Sequence, residues 1–377
     1  MMKKLVAFGL VLAMVVCLFA ACGDGSKTPS TKGTDPIVNT TAPVDNTTTG
    51  ADNLSDLYAS MSNEAVYLKN DDLPDVKAKE NYTIGIAMTT VSTDWFKSLS
   101  DEVQGQVEAA GCTALVSVCE DNVSTQISQL ENFMAQDVDA IILGPCNPQD
   151  ALTPVLKELA EAGIPVITVN DTVAADAPIF CAVSVDAYAL GFGVGSYLAS
   201  QLLEKYPDAE KIEYALIGGK DGDAIAHNRN EGAKAGVADV DKEGKIELVS
   251  FLYSGGYSEE NGLETAQNML TANPNLKCII GTCDSHVIGA SQALNVLGLD
   301  PSNVIMGAVD GSAGAMESIA SGGSIVCTGM NDTHAFGVLA TKIIVAYLND
   351  GTLPQSNNII QDPVVCTIDN LSTYYNG

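Results

Sequence analysis

The 377-residue chain contains one arginine (Arg229), one tryptophan (Trp95) and three histidines (His227, His286 and His334). Each scarcity excludes something. Lys and Arg together number 18 against 47 Asp and Glu, for a formal net charge of -29. Phosphate backbones are bound by clustered Lys and Arg, so no nucleic-acid partner is expected. Three scattered histidines leave little for imidazole catalysis. Cys283 and His286 have ligand spacing, but no second pair stands near them, so no metal is expected. Dinucleotide and phosphate loops are missing as well. The first strand is followed by Thr89-Thr-Val-Ser-Thr-Asp94 without a glycine, Gly218-Gly219 and Gly222 lack the required spacing, and no Gly-Lys-Ser/Thr occurs. No Gly-x-Ser-x-Gly elbow is present. No cofactor is therefore expected, and an enzyme is disfavoured.

Long apolar runs are equally scarce. The main one is 5–19, behind the basic start Met1-Met-Lys-Lys4, and at 15 residues it is short for a bilayer span. It reads as a secretory leader covering 1–21. Phe19-Ala20-Ala21-Cys22 resembles the bacterial lipobox, in which the chain is cut before the cysteine and Cys22 receives lipid. An ordinary secretory cut near Ala21 is the alternative. Both place the protein outside the cytoplasm, and lipid on Cys22 would hold it to a membrane. Residues 23–53 are rich in Thr, Ser, Pro, Gly, Asp and Asn, which cannot bury enough surface to order themselves. We read 22–80 as a lipid-anchored flexible tether, with apolar residues after 54 that allow a short docked helix. Eight cysteines remain in the body. A chain this large does not need a disulfide framework, and we expect them mostly free and buried.

What the chain does have is a core and an alternation. At 46% hydrophobic it is no disordered protein. From residue 81, apolar runs suited to buried strands (82–88, 114–118, 140–143, 165–169, 179–185) alternate with helical stripes (95–110, 127–134, 151–162, 188–203). A second series follows, with strands at 212–217, 246–252, 278–280, 304–308, 325–328 and 364–367. This pattern predicts an α/β fold of two doubly wound parallel-sheet lobes. In such sheets ligands sit beyond the carboxyl ends of the strands.

The residues at those ends resemble the type I periplasmic sugar-binding proteins, the ribose/galactose/xylose group that serves ABC transporters. The resemblance rests on Thr93-Asp94-Trp95-Phe96, the stretch from Gln126 to Gly144-Pro-Cys-Asn147, Pro165-Val-Ile-Thr-Val-Asn170-Asp171, Ser184-Val-Asp186, Asn228-Arg229-Asn-Glu-Gly232 and Asp310-Gly311. It implies a three-strand hinge, with crossovers near 183–187, 329–332 and 358–361. The first lobe would be 81–184 plus 331–358, and the second 185–330 plus 359–377. It implies ligand contacts from Asp94, Trp95, Phe96, Asn170, Asp171, Arg229 and Asp310, with His227 as a further candidate on the same loop. The implied partners are a small sugar and an ABC permease.

The chemistry agrees with these residue types. Carboxylates and amides meet hydroxyls, flat aromatics meet C–H faces, and arginine offers donors in fixed geometry. Plainer roles stand beside these. Trp95 can pack on core, Arg229 can pair with Glu231, Asp310 can cap the helix that follows, and His227 can be a solvated helix-start residue. Asp171, where ribose members often carry arginine, turns the expectation away from ribose itself, and Cys283, where asparagine is usual, is a further altered contact. The same fold can also serve as a sensor for a chemoreceptor or histidine kinase, or take an autoinducer or nucleoside.

Overall fold

The computed structural model describes residues 54–375. The leader, Cys22 and the stretch 23–53 lie outside the described residues. Two sheets form. The first contains β1 (Val66–Leu68), β2 (Thr83–Met88), β3 (Thr113–Val118), β4 (Ala140–Leu143), β5 (Val166–Asn170) and β6 (Cys181–Val185). The second contains β7 (Ile212–Gly218), β8 (Ile246–Tyr253), β9 (Leu276–Gly281), β10 (Ile305–Asp310) and β11 (Ile325–Met330). The chain then returns to the first sheet with β12 (Asn358–Gln361) and ends in the second with β13 (Val365–Thr367). The strand orders are β1-β12-β6-β5-β4-β2-β3 and β13-β11-β10-β9-β7-β8. All pairings are parallel except β11 with β13. The expected doubly wound α/β class is borne out.

Helices link the strands. They are α1 (Leu54–Ser60), α2 (Asp94–Ala109), α3 (Val123–Ala135), α4 (Thr153–Glu161), α5 (Ala187–Lys205), α6 (Ala224–Val240), α7 (Glu259–Ala272), α8 (Asp284–Leu297), α9 (Ala313–Ser321), α10 (Thr333–Asp350) and α11 (Leu371–Tyr374). Side chains along a strand alternate between its faces, so each sheet carries apolar residues on both. Ile84, Ile86 and Met88 of β2 join the core under α2 and α10, while Ala87 joins the opposite core with Leu130 and Phe133 of α3. In the second sheet Ala215 and Ile217 face α7 and α8, whereas Tyr214 and Leu216 face α5 and α6.

Two boundaries need correction. Residues 54–80 are not tether. Leu54, Tyr58 and Leu68 are buried in the first lobe's core, and β1 pairs with β12 through Val66 to Leu68. The short docked helix that the apolar residues after 54 allowed is α1, whereas the three residues of β1 are too few to show a period. Likewise 358–361 is a strand of the first sheet, paired with β6, so the third crossover falls at 362–364. Three residues leave no room for a helix there, and β13 enters the second sheet antiparallel.

One packing device seats the second lobe's helices. Gly191 and Gly195 of α5 face Gly232 and Gly236 of α6. A Cβ on any of the four would stand 2.1 Å from a carbonyl oxygen of the other helix. The backbones therefore touch where only glycine fits. Gly262 and Gly289 hold α7 against α8 in the same way, with the built Cβ 2.4 and 2.1 Å from carbonyl oxygens. Gly232→Ala is expected to lower stability by about 1–3 kcal/mol or more through overpacking. Gly105→Ala, on α2 with nothing within 4 Å of its Cβ, should raise stability by about 0.5–1 kcal/mol. Denaturant midpoints of the two variants check both signs.

Candidate functional site

Arg229 lies in the second turn of α6. The helix begins at Asp223, whose carboxylate accepts from Ala226 N at 3.0 Å. Pressed against α5 by the glycine contacts, α6 turns Arg229 inward, where it is 7% exposed. Its Nη1 donates to Thr282 O at 3.1 Å and to Asp310 Oδ1 at 3.0 Å. Thr282 directly follows β9, and its hydroxyl sits 2.8 Å from Ile217 O and 2.9 Å from Asn230 Oδ1. Arg229 Nε is buried without a partner. A buried guanidinium N–H without a partner is costly, so an acceptor that reached it would be favoured.

Asp310 ends β10 with a backbone φ of 151°, a region that side-chain-bearing residues rarely adopt. Such strain persists only where the surroundings fix it. Here Arg229 holds the side chain, and Gly311 N donates to Thr328 Oγ1 at 3.0 Å. Behind Asp310 lies Asp284, fully buried, which accepts from Ser312 N at 2.7 Å and from Thr328 Oγ1 at 2.8 Å. Burial raises the pKa of both carboxyls. Their mutual repulsion adds to the shift at Asp284, and Arg229 opposes it at Asp310. The Cys283 thiol, beside Asp310 and Arg229, is pushed up by burial and stays protonated.

The first lobe supplies the other wall. Thr93 caps α2 by accepting from Phe96 N at 3.3 Å. Asp94 is exposed, while Trp95 and Phe96 are half-buried. Trp95 sets its ring edge-on to Phe96 and Phe336, at 5.1 and 6.3 Å, and donates from Nε1 to Asn331 O at 2.9 Å. Asn331 is 4% exposed, and its Oδ1 has no partner. Asn170 closes β5 in the left-handed region, at φ 68°, and donates from Nδ2 to Asp171 Oδ2 at 3.1 Å. Asp171 is pushed up to about 6, first by burial and then by the facing Asp223, while Asn170 and Arg229 pull it down. Asp171 of the first lobe is thus within electrostatic reach of Asp223 and Arg229 of the second.

Arg229 and Asp310 therefore pair directly, Asp171 of the first lobe lies within electrostatic reach of Arg229 and is bonded to Asn170, and Trp95 and Phe96 pack together at the start of α2. His227 does not join them. It precedes Arg229 by two residues, about 200° around the helix, and is exposed. It borders a surface depression of about 340 Å³ with Asp221, Gly222, Asp223, Ala224, Asn228 and Tyr253. Glu231, the suggested alternative partner of Arg229, instead pairs with Lys234 at 2.8 Å. Sequence reasoning missed Thr282, Asp284 and Asp223. The first two stand right after β9, where strand-end logic points, but Thr282 acts through its backbone carbonyl and Asp284 from beneath the site. Cys283 and His286 do not join as a pair, because His286 Nε2 turns to Gly256 O at 2.8 Å and Ser254 Oγ at 3.0 Å. Among the described residues no group of three His, Cys, Asp or Glu is placed to hold a metal. All eight described cysteines are free and buried.

A family model for the periplasmic binding protein domain matches residues 84–352. The chain belongs to the periplasmic binding protein family. The D-xylose-binding periplasmic protein of Escherichia coli is 30% identical over 240 residues, 63% of this chain and 70% of its own. The galactofuranose-binding protein of the same organism is 26% identical, over 72% of this chain and 84% of its own. The solved ABC transporter solute-binding protein of Actinobacillus succinogenes, with bound D-allose, superposes with a TM-score of 0.69 at 25% identity, covering 78% of this chain and 100% of that one. This binding protein thus has the type I fold of the ABC solute-binding proteins, a family that works outside the cytoplasm, and it is not an enzyme.

The raised carboxyls give its stability an unusual slope. An Asp held above the ordinary 3.8 keeps its proton longer in the folded state than in the unfolded chain. Its contribution is most favourable at low pH and is lost as pH rises from about 4 through 6 for Asp171. Asp284 extends the loss upward in pH. The thermal midpoint is therefore expected to be higher at pH 5 than at pH 8. Carboxyl NMR should show the Asp171 midpoint falling in Asp223→Asn. A midpoint that climbs from pH 5 to pH 8 contradicts this assignment.

Proposed function

We propose that this protein captures a neutral monosaccharide between its two lobes outside the cytoplasm, held to the membrane by lipid on Cys22, and delivers it to an ABC permease. The carrying observation is Arg229. A guanidinium with an unpaired buried Nε is bonded to Asp310 and lies within electrostatic reach of Asp171, while Trp95 and Phe96 lie at the start of α2 in the first lobe. Carboxylates accept from sugar hydroxyls, Arg229 Nε donates to one, and the aromatic pair offers a surface for a C–H face. Relatives named for D-xylose, ribose and galactofuranose support the substrate class.

Charge narrows it further. One guanidinium faces three nearby carboxyls, so a sugar acid or sugar phosphate would meet net repulsion. Binding draws Asp171 and Asp223 together from opposite lobes, and hydroxyls placed between them screen that repulsion and favour closure. His227 is left out of the contact set.

Titration with pentoses, hexoses and polyols, followed by Trp95 fluorescence, tests the reading. At least one neutral sugar should change the emission and raise the thermal midpoint, and uronic acids should not. Arg229→Ala removes one member of a buried charge pair and should weaken binding by about thirtyfold or more, from a cost of about 2–5 kcal/mol. Cys22→Ser should move the protein from the membrane fraction to the soluble one. Silence across the whole panel would sink the sugar reading.

A further inference from the structure

Residues 54–80 precede the stretch matched by the family model, which begins at 84, and they reach the hinge. β1 lies beside β12, the strand leading into the third crossover. Leu68 O accepts from Asp362 N in that crossover at 3.0 Å. The nearby pair of Lys69 and Asp362, at 3.5 Å, is exposed and contributes little. Tyr67 reaches the first crossover, where its hydroxyl donates to Asp186 Oδ2 at 2.9 Å. The other oxygen of Asp186 caps α5, accepting from Ala189 N at 2.8 Å. One carboxylate thus ties an edge strand of the first lobe to a helix of the second. Asp186 is the one residue between β6 and α5, and its cap bond to Ala189 N fixes the carboxylate to α5, so turning α5 about this residue carries the carboxylate relative to Tyr67.

We propose that Tyr67 is a positioning residue for ligand capture: β1 straps the hinge, and the bond from Tyr67 to Asp186 favours the lobe separation at which Asp171 faces Asp223 and Arg229. This rests on the reading of the cleft as the binding site. Tyr67 touches no ligand. It acts on the free protein, by biasing the open–closed equilibrium toward the competent arrangement, which raises apparent affinity by the same factor.

A double-mutant cycle on the full chain tests the strap. Tyr67→Phe removes the donor. Asp186→Ser keeps a good helix cap but drops the second oxygen. Each single variant should raise the Kd for the sugar found by titration by about two- to tenfold, the range of one exposed hydrogen bond, and the double variant should do no worse than either. Nitroxide labels at Glu131→Cys and Asp221→Cys, exposed positions on the two lobes, should report a longer ligand-free distance in all three. Arg229→Ala, which acts in the cleft itself, should weaken binding by about thirtyfold or more. The label distance decides the matter even if no sugar binds, so failure of the strap and failure of the sugar reading stay distinguishable. Parental Kd and distance in Tyr67→Phe, or additive losses in the double variant, overturn the proposal.

Discussion

The site is organised around one buried ion pair. Arg229 and Asp310 meet at 3.0 Å with the guanidinium almost wholly shielded, and neither would be stable there alone. Their meeting depends on a backbone constraint two helices wide. Because Gly191 and Gly195 let α5 sink onto Gly232 and Gly236 of α6, Arg229 arrives at the ends of β9 and β10 rather than in solvent. Thr282 O takes a second contact from the same Nη1, and Asp284 braces the turn after Asp310 from below. These bonds fix the guanidinium before any ligand arrives, which limits the ordering cost of binding.

The arrangement suits capture and release rather than reaction. Its carboxyls accept hydrogen bonds, and burial raises the pKa of Asp284 and of Asp310, at Asp310 against the pull of Arg229. The acidity noticed in the composition has two sources. Most of it is a solvated exterior, as at the exposed pair of Lys97 with Asp101. A small part is concentrated where the lobes face each other, at Asp171 and Asp223. Because Asp171 and Asp223 lie on opposite lobes, a ligand that intervenes changes the energy of closing as well as the energy of contact.

The lobes and their strand ends were legible because buried parallel strands read as continuous apolar runs and helices as stripes. Arg229 and Trp95 stood out because each is the only residue of its type. Other features follow from contacts that pattern alone does not carry. β1 is three residues long and becomes a strand only through β12, some 290 residues away. The seating of α5 on α6 was written as Gly191-x3-Gly195 and Gly232-x3-Gly236, a spacing that gains meaning once the two helices are known to be partners. His227 and Arg229 looked like neighbours along the chain, and helical geometry put them on opposite faces. The roles of Thr282 and Asp223 depend on a carbonyl and on a charge across the cleft, neither of which residue type reveals.

A crystal structure with the bound sugar tests the central claim most directly. The account predicts a ligand oxygen within ~3.2 Å of Arg229 Nε, Asp171 and Asp310 bonded to ligand hydroxyls, and a sugar face against Trp95 or Phe96. A sugar seated elsewhere, or an Arg229 Nε still without a partner in the complex, would contradict it.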